Sequence, residues 1–388
     1  MNIGIPYEEN IYENRVSMTP YAVNVLKKRN HQVFITVDSG IKSGFSNDDY
    51  KKAGAIITQS NKETYLNSEI IVKVNAPINS EIEYLREGQI LFSFLNLIND
   101  FELTEKLSKK KITAIAYEMI RNGKSAPIVE SMSRIAGKLS FSIGSEILSK
   151  PNSGKGVLLG GSPSASRSKI VIIGAGNAGM ELLKMGVHAG SRISVFDNDL
   201  EKLNIIAHEF PGVETFYPYH ELLIKQLKNT DLVLGSTSSY KKKTTRLISP
   251  EMLKMMEPRS VFIDLTAASG GMSETSKTTE LGKPLYLLND IEIFHYCVHN
   301  IAASVPKTAV NALSTSILPH LLRITEGYIE QSPSIIDAIC INKGKIAEFL
   351  EVKEPVAKQK QIDALIGDDD EDDDTGINWR GVHDKRDY

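Results

Sequence analysis

Residues 169–197 read KIVIIGAGNAGMELLKMGVHAGSRISVFD, and this stretch decides the fold. Four consecutive aliphatics, Ile170 to Ile173, predict a strand buried on both faces of a parallel sheet. Gly174, Gly176 and Gly179 follow at once in the pattern G-x-G-x-x-G, ahead of a helical run over 180–188. A second strand over 193–196 ends in Asp197. Each glycine has a physical task. The first permits a tight turn, the second lets the backbone approach a pyrophosphate, and the third lets helix and strand pack closely. The N-terminus of the following helix offers free N–H groups and a positive dipole end to phosphate. Asp197 is placed to hydrogen-bond the adenosine ribose and to repel a 2′-phosphate, which predicts NAD over NADP.

Outward from this unit, the strands expected over 232–235, 261–265 and 285–288 extend a nucleotide-binding sheet to about residue 300. A long apolar helix over 309–322 returns from it, and 335–349 reads as continued helix. Upstream, residues 1–128 alternate short strands with helices. Strands are expected over 2–6, 33–37, 70–74, 90–94 and 114–117, and helices over 20–28, 48–53, 81–85 and 104–111. This alternation predicts a mostly parallel sheet flanked by helices. A helix over 129–149 crosses between the two regions, and the Gly/Ser-rich patch 160–168 is a loop. The fold class is therefore α/β, with two domains, the second of Rossmann type.

The chain has 388 residues, 41% hydrophobic and 24% charged, which suits two packed domains. Removing the acidic run 368–374 from the count turns the formal net charge of −3 into +4, no footprint for nucleic acid. That run cannot bury apolar area, so the tail 367–388 is expected to be disordered. Two cysteines, Cys297 and Cys340, argue against a disulfide framework and for a reducing compartment. The N-terminus lacks the pattern of a signal peptide, and no apolar run reaches the ~20 residues of a membrane span. A cytoplasmic protein with no membrane insertion is expected. His295 and His299 stand four apart with no further ligand in metal spacing, so no metal is expected. The run Lys241-Lys242-Lys243 reads as a solvated loop, with phosphate contact as its alternative.

The chain resembles the alanine dehydrogenase / nicotinamide nucleotide transhydrogenase alpha-subunit family. The segments carrying the resemblance are GIPYEENIYENRVSMTP, DSGIKSGFSNDDYKKAGA, IIVKVNAPI, LREGQILFSFLNL, IAYEMI, SMSRIAG, GVLLGG, the glycine loop and HYCVHNIAASVPKTAVNAL. The resemblance implies an NAD cleft between a Rossmann domain (129–304) and a first domain built from both chain ends (1–128 with 305–366), in a homo-oligomer. In alanine dehydrogenases a VKVKEP-type segment supplies a substrate lysine, and VKVNAP puts Asn75 there. An FxFLHL-type segment supplies the acid/base histidine, and FSFLNL puts Asn96 there. An IDQGG-type segment supplies an aspartate beside the nicotinamide, and LTAASGG puts Ala268 there. The arginine survives as Arg15.

Arg15 is the expected anchor for a substrate carboxylate, since a guanidinium pairs with carboxylates in a fork; a plain surface arginine is its alternative. Lys73, at a strand end, either points into the cleft or snorkels outward. Asparagine cannot transfer protons near neutral pH. Glu118 is then the nearest replacement acid/base, against a role holding a neighbouring loop. Ser133 is expected at the cofactor, or else as a helix cap. The remaining expected cofactor residues are Gly174, Gly176, Asn177, Ala178, Gly179, Asp197, Lys202, Ser236, Ala268 and Asn300. Gly270 and Gly271 follow a strand at the sheet edge where ligands bind. Three functions fit. One is an NAD-dependent oxidoreductase on an amino acid, 2-oxo acid or derived imine, with alanine a poor substrate. The others are a transhydrogenase-like module passing hydride to a partner, and a catalytically silent relative.

Overall fold

The computed structural model describes residues 1–237 and 244–350. Its strands are β1 (Asn2–Ile5), β2 (Gln32–Thr36), β3 (Ile56–Thr58), β4 (Ile70–Val72), β5 (Ile90–Ser93), β6 (Thr113–Ala116), β7 (Lys169–Ile173), β8 (Arg192–Phe196), β9 (Glu214–Phe216), β10 (Leu232–Gly235), β11 (Val261–Asp264), β12 (Leu285–Leu288), β13 (Ile293–Tyr296), β14 (Ile339–Asn342) and β15 (Lys345–Ile346). The helices are α1 (Pro20–Lys28), α2 (Asn47–Lys52), α3 (Asn61–Leu66), α4 (Asn79–Ile82), α5 (Phe101–Lys109), α6 (Pro127–Leu148), α7 (Asn177–Ala189), α8 (Leu200–Glu209), α9 (His220–Leu227), α10 (Pro250–Leu253), α11 (Pro306–Thr325) and α12 (Pro333–Ile336).

Two sheets organise these elements. The first runs β15-β14-β6-β5-β4-β1-β2-β3 and the second β12-β13-β11-β10-β7-β8-β9. Inside each sheet six parallel strands follow the doubly wound order 3-2-1-4-5-6. The chain reverses direction across the sheet between β1 and β4, and again between β7 and β10. Ligands of doubly wound sheets bind beyond the carboxyl ends of the strands at such reversals. Each half therefore offers one crevice.

The aliphatic run of β7 explains the second sheet. Ile170 and Ile172 join the core on one face, with Leu182 and Leu183 of α7. Val171 and Ile173 join the core on the other, with Leu223 and Leu227 of α9. Alternate residues of one strand thus feed two cores, which is why the run has no polar positions. The first sheet buries Ile3, Ile5, Ile70, Ile71 and Leu91 together with Val310, Leu313 and Ile317 of α11. Start signals are legible too. Thr19 caps α1 ahead of Pro20, and Ser46 and Asp49 form a capping box on α2.

The helix expected over 335–349 is corrected. After α12 the chain forms the hairpin β14–β15, and β14 pairs antiparallel with β6. Lys343 and Gly344 turn the hairpin at φ 48° and 86°, a tight turn with positive φ that glycine accepts freely. Elements β3, α3, α8, β9, α9, α10 and β13 lie in stretches where no element was expected. The run Lys241-Lys242-Lys243 and the tail 367–388 lie outside the described residues.

Candidate active site at the two crevices

The β1/β4 crevice gathers charge. Glu8 follows β1 and Lys73 follows β4. The Lys73 ammonium, 1% exposed, sits 3.3 Å from Glu8 Oε2 and 2.6 Å from Glu81 Oε1. It neither points free into a cleft nor snorkels. Burial acts to lower its pKa, and the two carboxylates more than reverse that. Glu81 also accepts from Tyr65 Oη at 3.4 Å and from Ile78 N at 3.0 Å. Glu8 accepts Val74 N at 2.7 Å. Burial, with help from Glu81 and Glu13 and against Lys73, lifts the Glu8 carboxyl to about 7.

Arg15 is buried beside this cluster. Its Nε donates to Glu13 Oε1 and its Nη2 to Glu13 Oε2, both at 2.7 Å. One edge of the guanidinium fork is thus filled by an internal carboxylate two residues away. Its Nη1 lies 3.5 Å from Met132 Sδ. Glu13 Oε2 also receives Asn75 Nδ2 at 2.8 Å and Asn300 Nδ2 at 3.4 Å. Burial works to raise the Glu13 carboxyl, but Arg15 and the Asn75 amide hold it below the usual range. Asn300 follows β13 of the second sheet, so this hydrogen bond joins the two halves. Asn14 Nδ2 to Ala303 O, at 3.2 Å, is a second such bond.

Glu118 follows β6 and takes the loop-holding role. Its carboxylate accepts the backbone N–H groups of Leu95 and Asn96, the latter at 2.6 Å, and desolvation raises its pKa. Asn96 itself is exposed in a left-handed conformation, φ 50° and ψ 36°, which asparagine tolerates better than most residues.

The β7/β10 crevice holds the glycine loop. Gly174 has φ 102°, and a Cβ there would stand 2.8 Å from the Ser236–Thr237 backbone. Ser236 Oγ donates to Gly174 O at 2.9 Å. A Cβ on Gly179 would strike Gly174 O at 2.0 Å, whereas one on Gly176 meets nothing nearer than Ser236 O at 3.9 Å. Open space in front of Gly176 is what a pyrophosphate needs. No side chain caps α7, so the N–H groups of Asn177, Ala178 and Gly179 remain available there. Asp197 Oδ2 accepts Ala175 N at 2.7 Å and Oδ1 accepts Asp199 N at 2.9 Å. Lys202 Nζ lies 3.9 Å from Asp197 and 3.7 Å from Asp199. The residues present fit a dinucleotide.

Helix α6 couples the two crevices. Met132 touches Arg15, and Gly137 lies against α7, where a Cβ would stand 2.1 Å from Ala178 O. Five residues of helix separate them, roughly 7.5 Å. Ser133 lies between Met132 and Arg134, whose Nη1 reaches Glu181 of α7 at 3.4 Å. At the end of β11, Asp264 accepts Thr266 N, Thr266 Oγ1, Met272 N and Ser276 Oγ. This buried carboxylate shapes the loop carrying exposed Ala268 and the positive-φ Gly270 and Gly271. His295 is a core residue. Nδ1 faces Ile293 O at 3.1 Å, Nε2 faces Thr275 Oγ1 at 2.9 Å, and burial pushes its pKa down to about 4.

Sequence reasoning missed Glu8, Glu13, Glu81, Met132, Gly137 and Asp264. Glu8 and Glu13 stood in the segment quoted around Arg15, and Met132 and Gly137 in SMSRIAG, but the contacts of all six are made only in the fold.

Residues 4–136 match the family model "Alanine dehydrogenase/PNT, N-terminal domain", and residues 140–348 match its C-terminal counterpart. Among curated relatives, alanine dehydrogenase of Methanococcus maripaludis is 35% identical over 353 residues, covering 89% of this chain and 94% of that one. Alanine dehydrogenase 2 of Staphylococcus aureus is 35% identical over 334 residues, covering 85% and 89%. Among solved structures, an L-alanine dehydrogenase superposes with TM-score 0.83 at 32% identity, covering 94% of this chain and 99% of that one. A transhydrogenase from Sinorhizobium meliloti shares the fold, with TM-score 0.76 at 19% identity over 89% and 99%. The chain belongs to the alanine dehydrogenase/PNT family of NAD(H)-dependent oxidoreductases.

Proposed function

We propose that the chain acts on an amino acid, a 2-oxo acid or an imine made from them, and that alanine is a poor substrate. The carrying observation is the charge and proton inventory of the crevices. Asn75 gives its amide to Glu13, Asn96 presents an exposed amide, and Ala268 has no polar side chain. None of the three can hold or move a proton. NAD, when bound, supplies the nicotinamide carbon that accepts or donates hydride. Gly174, Gly176 and Gly179, with the N–H groups of Asn177 and Ala178, cradle its pyrophosphate. Asp197, supported by Lys202, takes the adenosine ribose. Ser133, Ser236, Ala268 and Asn300 border the nicotinamide end. Arg15 uses its outer Nη1–Nη2 edge for the substrate carboxylate, because Glu13 fills the inner edge. Lys73 holds Glu8 and Glu81 in place rather than touching substrate.

General acid/base catalysis contributes about 10²–10⁴-fold. Reductive amination of pyruvate should therefore run at least about a hundredfold slower than in a histidine-bearing relative assayed alongside. An NADH absorbance assay at saturating pyruvate and ammonia decides it, and comparable turnover would sink the proposal. A silent NAD(H)-binding protein is the second reading, favoured by the internal Glu13 on the Arg15 fork. It predicts that no carboxylate binds the NADH-loaded chain.

A further inference from the structure

The β1/β4 crevice holds five charged side chains in one cluster: Glu8, Glu13 and Glu81 against Arg15 and Lys73. All are at most 7% exposed. Lys73 links Glu8 to Glu81, Arg15 pairs with Glu13, and Glu8 acts on both Arg15 and Glu13. Three carboxyl groups face two positive ones, so with all three ionised one negative charge is in surplus. Asn75, which contributes an amide to Glu13 and no charge, leaves that surplus standing. Tyr65, which donates to Glu81, and Tyr117 are buried beside the cluster and neutral, their hydroxyls raised by burial, while further basic groups stand at the rim in solvent. Lys42 is exposed, with Nζ 3.4 Å from the Glu13 carbonyl oxygen, and His299 is exposed.

A second observation falls at the same place. Asn300 is 7% exposed, and its amide nitrogen reaches Glu13 while its Oδ1 is buried with no partner among the described residues. An unpaired buried acceptor calls for a donor. A surplus charge away from water calls for its opposite. Glu13 and Asn300 belong to different halves of the molecule, so any separation of the halves uncovers both.

We infer that this crevice takes a ligand of net positive charge, an amino acid with a second amino or guanidino group, whose cationic N–H group donates to Asn300 Oδ1 beside Glu13. The inference rests on the proposed carboxylate site at Arg15 for the ligand's other end only. Glu8 supports it. At neutral pH its carboxyl, lifted to about 7, shares a proton in the empty cluster, and a bound cation does the same neutralising work. Zwitterions such as alanine bring no net charge, and 2-oxo acids bring the wrong sign.

The test is calorimetry on the full chain saturated with NADH, whose ring is neutral where that of NAD⁺ is positive. The probes are L-ornithine, L-norvaline, L-glutamate and agmatine. Ornithine should bind at least about tenfold more tightly than norvaline, with glutamate weakest. Asn75→Lys, which sets the cluster at three against three, should remove the preference for ornithine. If wild-type protein binds norvaline or glutamate as tightly as ornithine, the charge inference is overturned and the proposed function stands. A preference that survives in Asn75→Lys also overturns it. If agmatine binds and no carboxylate does, the inference stands and the carboxylate reading falls. If none of the four binds, both fall.

Discussion

Gly176→Ala separates cofactor binding from stability. Gly176 is extended at φ −76° and ψ −170°, a conformation alanine adopts without strain. The added methyl has 3.9 Å of clearance to its nearest neighbour. Changes with no clash stay within about 0.5 kcal/mol, so the variant should melt within about 2 °C of wild type. The methyl nevertheless stands in the space through which a pyrophosphate approaches the first turn of α7. Overpacking costs about 1–3 kcal/mol, which weakens NADH binding by about fivefold to more than a hundredfold. Gly179→Ala is the contrast. Its Cβ would lie 2.0 Å from Gly174 O, a backbone atom that cannot turn aside, so melting temperature and NADH affinity should fall together. Fluorescence titration with NADH, run beside thermal melts of both variants, gives the answer. Unchanged NADH affinity in Gly176→Ala would refute the reasoning, because no phosphate would then pass that glycine.

Asp197→Ala removes the carboxylate that accepts two backbone N–H groups and the charge that repels a 2′-phosphate. NADH affinity should drop about tenfold to a hundredfold, and the preference over NADPH should narrow. A preference that survives would confine Asp197 to supporting the loop. Arg15→Ala leaves Glu13 buried without its partner and should destabilise the chain by about 3–5 kcal/mol in urea unfolding. The double change Glu13→Gln with Arg15→Met should recover most of that loss, and failure to recover would mean the pair is not the cause. Glu8 carries a pH signature. Its folded pKa of about 7 stands above its ordinary 4.5, so the folded chain binds the extra proton between those values. Stability should therefore fall as pH rises from about 4.5 to about 7, then level off, with a contribution on the order of 3 kcal/mol. Glu8→Gln should flatten that slope, and an unchanged slope would place the titration elsewhere.

The nucleotide-binding half was legible because its constraints lie in one short segment. Four aliphatics, three spaced glycines and a terminal acid each limit the same thirty or so residues. The hairpin β14–β15 was misread because Ile335, Ile339, Ile341 and Ile346 suit a helix as well as strands. Short apolar runs do not discriminate by period. The deciding signal was Lys343-Gly344, a turn pair that outranks propensity once β6 presents an edge to pair with. At the site, Arg15 was visible but its state was not. No periodicity says that Glu13, two residues back in a loop, turns both carboxylate oxygens onto the guanidinium. Lys73 meets Glu8 across 65 residues of sequence, and Asn300 meets Glu13 across 287. The first pair exists only once β1 and β4 lie side by side, and the second only once the two sheets have set their carboxyl edges against each other.

That geometry changes what the surviving arginine means. Arg15 would be retained by stability alone, because a lone Glu13 at this depth costs several kcal/mol. Its presence therefore does not by itself argue for catalysis. The replaced positions carry more information. Asn75, Asn96 and Ala268 all sit at carboxyl edges, where substrate chemistry is done, while the glycine loop, Asp197 and the α6–α7 contact at Gly137 keep the geometry a dinucleotide needs. The intact cofactor cradle beside Asn75, Asn96 and Ala268 is the ground for the proposed change of substrate. Asn300 is where the two halves meet at this site, since its amide nitrogen reaches Glu13 while its oxygen has no partner among the described residues.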